Sequence, residues 1–241
     1  AKEGHTVTIV TLADAPQTIY PLRPDISVIS AGINRGTGSL SAGLGNTIRR
    51  IRRIRDVLKQ CRPNAAVGIM TTSSCLLALA GRGLGIRLVG TERSYPPALP
   101  LGRGWHMVRR VSYRWLDAVV AQTEEGAAWL RAYTWARAPI ALPNPIALPL
   151  PVAEPRLEPG QILQPGSKLL LAVGRLSEQK QFQLLIDAFA KLAPHVPSWR
   201  LVILGEGPLR NELEAHIKRH SLSDRLDLPG RVGNPGAWME R

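Results

Sequence analysis

Cysteine is scarce in this chain: Cys61 and Cys75 are the two among 241 residues. They form neither a CxxC pair nor a metal-ligand spacing, so a disulfide scaffold and a cysteine-ligated zinc module are not expected and two reduced thiols are. Aromatic residues make up 5%. No run of eighteen apolar residues occurs, so no segment reads as a membrane-spanning helix. The opening AKEGHTV lacks the basic start and apolar block of a signal peptide. Acidic residues are also few, 18 Asp/Glu against 31 Lys/Arg, for a net charge of +13. The imbalance is one-sided: residues 1–150 hold 19 Lys/Arg against 8 Asp/Glu, and residues 151–241 hold 12 against 10. A basic first part suits nucleic acid, anionic lipid heads or a phosphorylated substrate.

What is present is alternation of strand and helix. HTVTIVTL (His5–Leu12) and Ile26–Ser30 read as strands. The glycines Gly36, Gly38, Gly43 and Gly45 predict a flexible loop. Ile48, Ile51, Ile54, Val57 and Leu58 recur at helical spacing as far as Gln60, and Arg62-Pro63 closes that helix. Strands are expected at 65–70, 86–91 and 118–122, and helices at 76–83, 103–116 and 124–133. Such alternation predicts parallel sheets with right-handed crossovers. Residues 142–164 carry Pro143, Pro145, Pro149, Pro151, Pro155 and Pro159 without periodicity, which predicts a stiff linker. The expected layout is an α/β chain of two Rossmann-like domains: 1–142, a hinge over 143–167, and 168–241.

The chemistry concentrates in the second domain. KLLLAVGRLSEQK and RLVILGEGPLRNELE are buried strands that end in glycine and feed helices. The first junction carries Arg175 and Lys180, and the second Gly205, Glu206, Gly207 and Pro208. Cations oppose the dipole of a helix N-terminus, so their presence there calls for an anion. Two cations beside a glycine-rich helix entry suit a pyrophosphate, and hence a nucleotide-linked donor in group transfer.

These segments, with GHTVTIVTL, TERSYP, DAVVAQTEEGAAWL and ALPNPI in order before them, resemble the retaining, nucleotide-sugar-dependent glycosyltransferases of the GT4 family, which have the GT-B fold. The resemblance implies a donor site in the second domain and an acceptor side in the first, facing a cleft. It gives Arg175 and Lys180 the catalytic task of holding the donor pyrophosphate. Gly174 would permit close backbone approach. Gly205, Glu206 and Gly207 would line the nucleotide pocket, with Pro208 opening the helix, and Arg231 and Val232 would lie by the base. Thr72, Glu92 and Arg93 are the acceptor-side candidates. No metal or cofactor is expected beyond the nucleotide diphosphate sugar, and no DxD motif occurs. The family carries a glutamate-rich segment after the residues matched here and a first strand before GHTV. The expectation is therefore a fragment short at both ends, inactive alone.

The partners expected are a nucleotide sugar donor and a glycan or lipid-linked acceptor, in the cytoplasm or on the cytoplasmic face of the inner membrane. Arg49, Arg50, Arg52, Arg53, Arg55 and Lys59 share one helix, and Trp105, Met107, Tyr113 and Trp115 interleave a second basic stretch; an anionic membrane contact competes with plain solvated arginines. Nucleic-acid binding is not expected, because no recognised module accompanies the charge. Thr71–Ser74 suits acceptor contacts but reads better as an N-cap cluster. His216 and His220 read as a surface pair, since the intervening IKR lacks the glutamate of a zinc hydrolase. The alternatives to a transferase are another nucleotide-sugar enzyme such as an epimerase, and a non-catalytic binding module.

Overall fold

The computed structural model describes residues 4–13, 22–32, 40–98 and 101–241, with backbone alone for 40–44. The chain forms two compact units, Ala1–Asn144 and Pro145–Arg241. Among the described residues every strand pair in both is parallel. Among the described residues no helix is long and apolar enough to cross a membrane.

In unit 1, β1 (Val7–Thr11) pairs with β2 (Ile26–Ser30), while β3 (Ala65–Ile69), β4 (Arg87–Glu92), β5 (Ala118–Ala121) and β6 (Pro139–Ala141) form a four-stranded sheet in that order. Helices α1 (Leu40–Cys61), α2 (Thr71–Gly81), α3 (Arg103–Ser112) and α4 (Glu124–Tyr133) connect them. The core gathers Leu77, Leu88, Tyr113, Leu116, Val119 and Leu130. Helix α2 is apolar nearly all round and correspondingly buried. Its seat depends on two glycines in register across β3 and β4, Gly68 and Gly90. A Cβ on Gly68 would lie 2.6 Å from Ser74 Cα, and one on Gly90 would lie 2.6 Å from a Leu116 methyl.

Helix α1 begins at Leu40, earlier than the glycines predicted, and takes in Gly43 and Gly45. Ile51 and Ile54 pack on the core of unit 1 and anchor the helix, whose backbone runs back to Leu40 despite a cost of about 1 kcal/mol per glycine. Gly36 and Gly38 lie outside the described residues. The expected cap cluster at Thr71–Ser74 is also corrected. The N-cap of α2 is Met70, with no side-chain cap. Ser74 Oγ instead donates to the carbonyls of Gly68 and Met70, at 2.9 Å each, and accepts from Thr91 N–H at 3.0 Å.

Unit 2 is built on β7 (Lys168–Val173), β8 (Trp199–Leu204) and β9 (Leu226–Gly230), in that order, with α5 (Phe182–Leu192), α6 (Arg210–Arg219) and α7 (Pro235–Met239). The central strand β8 is buried on both faces. Leu201 and Ile203 point to the α5–α6 cluster, and Val202 and Leu204 point to the cluster of Leu163 and Trp238. This is the period of two made visible; each such side chain contributes about 1.5–3 kcal/mol. β9 carries Pro229, which cannot donate to the ladder, and the β8–β9 register is irregular between Val202 and Leu204.

The hinge expected over 143–167 is shorter than the prolines suggested. Residues 143–152 have no regular structure, with Ile146 and Leu148 exposed. From Ala153 onward the segment fastens to unit 2. Ala153 N–H donates to Gly233 O at 2.8 Å, Trp238 Nε1 donates to Leu157 O at 2.8 Å, and Glu158 and Gln161 close a capping box. Prolines hold this segment extended, while Leu157, Ile162 and Leu163 cover Trp238.

Candidate functional site

The three strands of unit 2 end together. Gly174 N–H donates to Leu204 O at 2.9 Å, and Gly205 N–H donates to Gly230 O at 2.8 Å. The approach is tight enough to require glycine. Gly205 has φ +152°, and a Cβ there would stand 1.8 Å from Gly174 O. A Cβ on Gly207 would stand 2.2 Å from Leu176 O. The turn of Gly207 is laced to the first junction, because Leu176 N–H donates to Glu206 O at 3.0 Å and Leu176 O accepts from Leu209 N–H at 3.1 Å. The result is a glycine-walled floor at the carboxyl ends of parallel strands, where such sheets bind ligands.

Arg175 follows Gly174 directly, and Lys180 closes a short 3-10 turn, Glu178–Lys180, before α5. Both are exposed. The Lys180 stem lies across Gly174, its Cδ and Cε 3.6 Å from where a Cβ would be. Among the described residues neither cation has a carboxylate within ion-pair distance. Gln181 takes a left-handed conformation, φ +54°, to turn the chain from that 3-10 segment into α5. The structure thus puts Arg175 and Lys180 on the connection that leaves the glycine floor, with their charge uncompensated.

The remaining unit 2 candidates fare differently. Glu206 is engaged by Arg210, whose Nε donates to Oε2 at 3.0 Å, with a second bond from Nη2 to Oε1. Arg210 Nη1 also donates to Glu214 at 2.8 Å. The Arg210 hydrogen bond holds the Glu206 carboxyl below its usual range and pushes the guanidinium up. Arg210 is the residue sequence reasoning passed over; its signal is the i, i+4 spacing Glu206–Arg210–Glu214. Pro208 does not open the helix: it lies in the turn before α6, which starts at Arg210. Its fixed φ serves that turn. Val232 packs against the Trp238 cluster, and Arg231 is exposed. An open depression of about 690 Å³ lined by Gln164, Ser198, Arg200 and Asp224 sits at the amino ends of β7 and β8, the wrong end for this chemistry.

In unit 1, Glu92 ends β4 but is 2% exposed. Oε1 accepts from Tyr113 Oη and Oε2 from Thr71 Oγ1, each at 2.6 Å, and Arg109 Nη1 lies 3.7 Å from Oε1. Burial, with Glu92 beside it, drives the Tyr113 phenol well above its ordinary value. Glu92 is thereby spent inside the unit, and the direct acceptor contact expected of it has no surface to act from. Arg93 is exposed and Thr72 half-buried. Arg109 stacks on Trp129, 4.6 Å from its centroid. On α1, Arg55 Nη1 donates to the carbonyls of Ala80 and Arg82 and so secures the end of α2.

Comparison with known proteins agrees with this architecture. Residues 1–145 match the model of the glycosyl transferase 4-like domain, and residues 156–239 match glycosyl transferases group 1. Over 238 residues the chain is 26% identical to an α-1,4-N-acetyl-D-galactosaminyltransferase of Campylobacter jejuni, whose name gives a diNAcBac-PP-undecaprenol-linked acceptor; 98% of this chain and 63% of that one are aligned. Sucrose-phosphate synthase from Thermosynechococcus elongatus superposes with a TM-score of 0.74 at 18% identity, over 99% of this chain and 63% of its own. HepE of Anabaena, solved with UDP and glucose, gives 0.64 at 16%, over 89% and 58%. At those identities the structures establish the fold, the two-domain GT-B class that the sequence predicted. The chain spans less than two thirds of the length of these relatives.

Proposed function

Since the chain belongs to the glycosyl transferase 4-like family, we propose that it moves a sugar from a nucleoside diphosphate sugar to a hydroxyl of a glycan or lipid-linked glycan, with retention at the anomeric carbon. The observation that carries the reading is the pair Arg175 and Lys180, uncompensated beside the glycine floor of unit 2. In transfer, the bond from the anomeric carbon to the diphosphate breaks as the acceptor oxygen bonds to that carbon. The diphosphate keeps the electron pair, and the proton of the acceptor hydroxyl passes to the departing phosphate oxygen or through it to solvent. Fixed cations favour the negative charge as it develops on the leaving oxygen. Gly205 and Gly207 let the strand ends close into the floor on which the phosphates would rest, and the i, i+4 grip of Arg210 holds Glu206 in place at the same turn.

A membrane-borne acceptor fits the charge of unit 1. Arg49, Arg52, Arg53 and Lys59 on α1, and Arg103 and Arg110 on α3, are exposed, as is Met107. Arg55 and Arg109 are withdrawn from that count by their internal partners. Near an anionic leaflet each exposed cation contributes about 1 kcal/mol, which supports peripheral attachment at a cytoplasmic membrane face. Sedimentation with anionic vesicles at low salt tests it; a protein that stays in the supernatant refutes the attachment.

The activity is tested with a panel of UDP-, GDP- and ADP-sugars plus glycan acceptors, following nucleoside diphosphate release and the anomeric proton of the product by NMR. Transfer with the donor's configuration kept is the expected result. A sugar isomerised with its nucleotide still attached would identify an epimerase, and saturable binding without turnover a non-catalytic module.

A further inference from the structure

Helix α6 carries His216, and His220, four residues on, caps it on the same face. The sequence shows no third partner for them. The fold supplies one from α5: Asp187, 29 and 33 residues away. His216 Nε2 lies 2.7 Å from Asp187 Oδ1, and His220 Nε2 lies 2.9 Å from the same oxygen. We propose that Asp187, His216 and His220 form a binding site for one divalent transition-metal ion of the zinc class, which clips α5 to α6.

Several observations converge on this. One ligand atom from each residue lies within 4.8 Å of the others. The imidazoles meet edge-on, at 76° with centroids 4.8 Å apart, and both Nε2 atoms converge on one Asp187 oxygen. The side chains of His216, Asp187 and His220 are 15%, 43% and 36% exposed, open enough for an ion to enter. Two imidazoles and a carboxylate select zinc, cobalt, nickel or copper over magnesium and calcium. Three protein ligands leave a fourth position for water. Metal–ligand bonds of about 2.0–2.2 Å put tetrahedral ligands roughly 3.3–3.5 Å apart, so Asp187 must withdraw by about half an ångström, and the two imidazole nitrogens, within 4.8 Å of each other, must settle at that spacing. His220 caps the C-terminus of α6, the end of a helix that favours a cation.

One residue opposes the ion. Arg219 Nη2 lies 2.9 Å from His216 Nδ1. A guanidinium only donates, so Nδ1 accepts and the ring carries its proton on Nε2, toward Asp187. Metal at Nε2 moves that proton to Nδ1, where it meets a second donor. Arg219, which is exposed, must then swing into solvent. The site lies about 9–15 Å along α6 from Arg210 by helical rise, so the ion's role is structural, independent of the sugar chemistry.

The test is titration of the full chain with ZnCl₂ by calorimetry, with Co²⁺ absorption reporting the coordination number. The expected result is one ion per chain, affinity lowered at least about tenfold in His220→Ala and Asp187→Asn, raised in Arg219→Ala, and no response to Mg²⁺. Zinc should raise the melting temperature of the parent and leave that of the two ligand variants unchanged. Should either variant melt abnormally without metal, His216→Gln and His220→Gln keep a donor toward Asp187 and take its place. Binding of equal strength in the ligand variants, or no saturable binding to the parent, overturns the site.

Discussion

Glu92→Gln removes one charge from the interior of unit 1 and leaves the shape unchanged. Glu92 and Arg109 have side chains 1% exposed, with Oε1 and Nη1 3.7 Å apart. Among the described residues Arg109 Nη1 has no hydrogen-bond partner, while Nη2 reaches His106 Nδ1 at 3.1 Å. The guanidinium charge therefore leans on Glu92 and on the face of Trp129. At 3.7 Å and an effective dielectric near 20, the Coulomb attraction is about 4.5 kcal/mol. The bonds from Thr71 and Tyr113 also weaken when their acceptor becomes neutral, from about 1.5–3 to about 1 kcal/mol each. Stranding one charge of a buried pair costs about 3–5 kcal/mol in all, a large share of a typical domain's stability. Arg109→Met strands the other charge. In Glu92→Gln/Arg109→Met neither is stranded, so the double variant should cost less than the sum of the singles by at least about 2 kcal/mol. Urea denaturation followed by far-UV circular dichroism and tryptophan fluorescence measures all three. A Glu92→Gln loss below about 1 kcal/mol, or additivity within about 0.5 kcal/mol, would refute the reasoning.

Other substitutions probe the floor and the thiols. Gly205→Ala would set a Cβ 1.8 Å from Gly174 O; a loss of about 2–4 kcal/mol is expected from overpacking and strain. Gly104→Ala, in α3 with nothing within 4 Å, should be neutral or stabilise by up to about 1 kcal/mol, and equal effects in the two would contradict the close approach. Cys61 is exposed and Cys75 buried, so a thiol reagent at neutral pH should modify one cysteine in the native chain and two in denaturant; two fast reactions in the native chain would contradict the packing. Burial pushes the Cys75 thiol from 9.0 up to about 12. Because the folded value is the higher one, its contribution is complete below pH 9.0 and drains away as pH rises toward about 12. Cys75→Ala should flatten the alkaline limb of stability against pH, and an unaltered limb would show that the thiol plays no part.

The architecture was legible because alternating patterns are local. Strands such as KLLLAV and RLVILG announce themselves by β-branched and leucine-rich runs ending in glycine, and the cations after Gly174 follow in the same stretch. What escaped depends on partners distant in sequence. Glu92 reads as a residue at a strand end; only the fold brings Thr71 and Tyr113, each 21 residues away, to close over it. Ser74 reads as a cap because serine before a helix usually is one, yet its hydroxyl stitches strands beneath Gly68 and Gly90. The three-residue β6, Pro139–Ala141, is too short to carry a period. The proline run after Leu142 looks uniform, although its second half is a cover for Trp238. Asp187 has no local mark at all as a companion of His216 and His220.

The central claim is that Arg175 and Lys180 hold the diphosphate of an activated sugar. Equilibrium binding of nucleoside diphosphate sugars to the chain, its Arg175→Ala variant and its Lys180→Ala variant tests this most directly. Both side chains are exposed, so the variants should fold, and the loss of a charge-assisted contact worth about 1.5–3 kcal/mol should weaken binding by roughly 10- to 150-fold in each. Parental affinity in both variants would contradict the account.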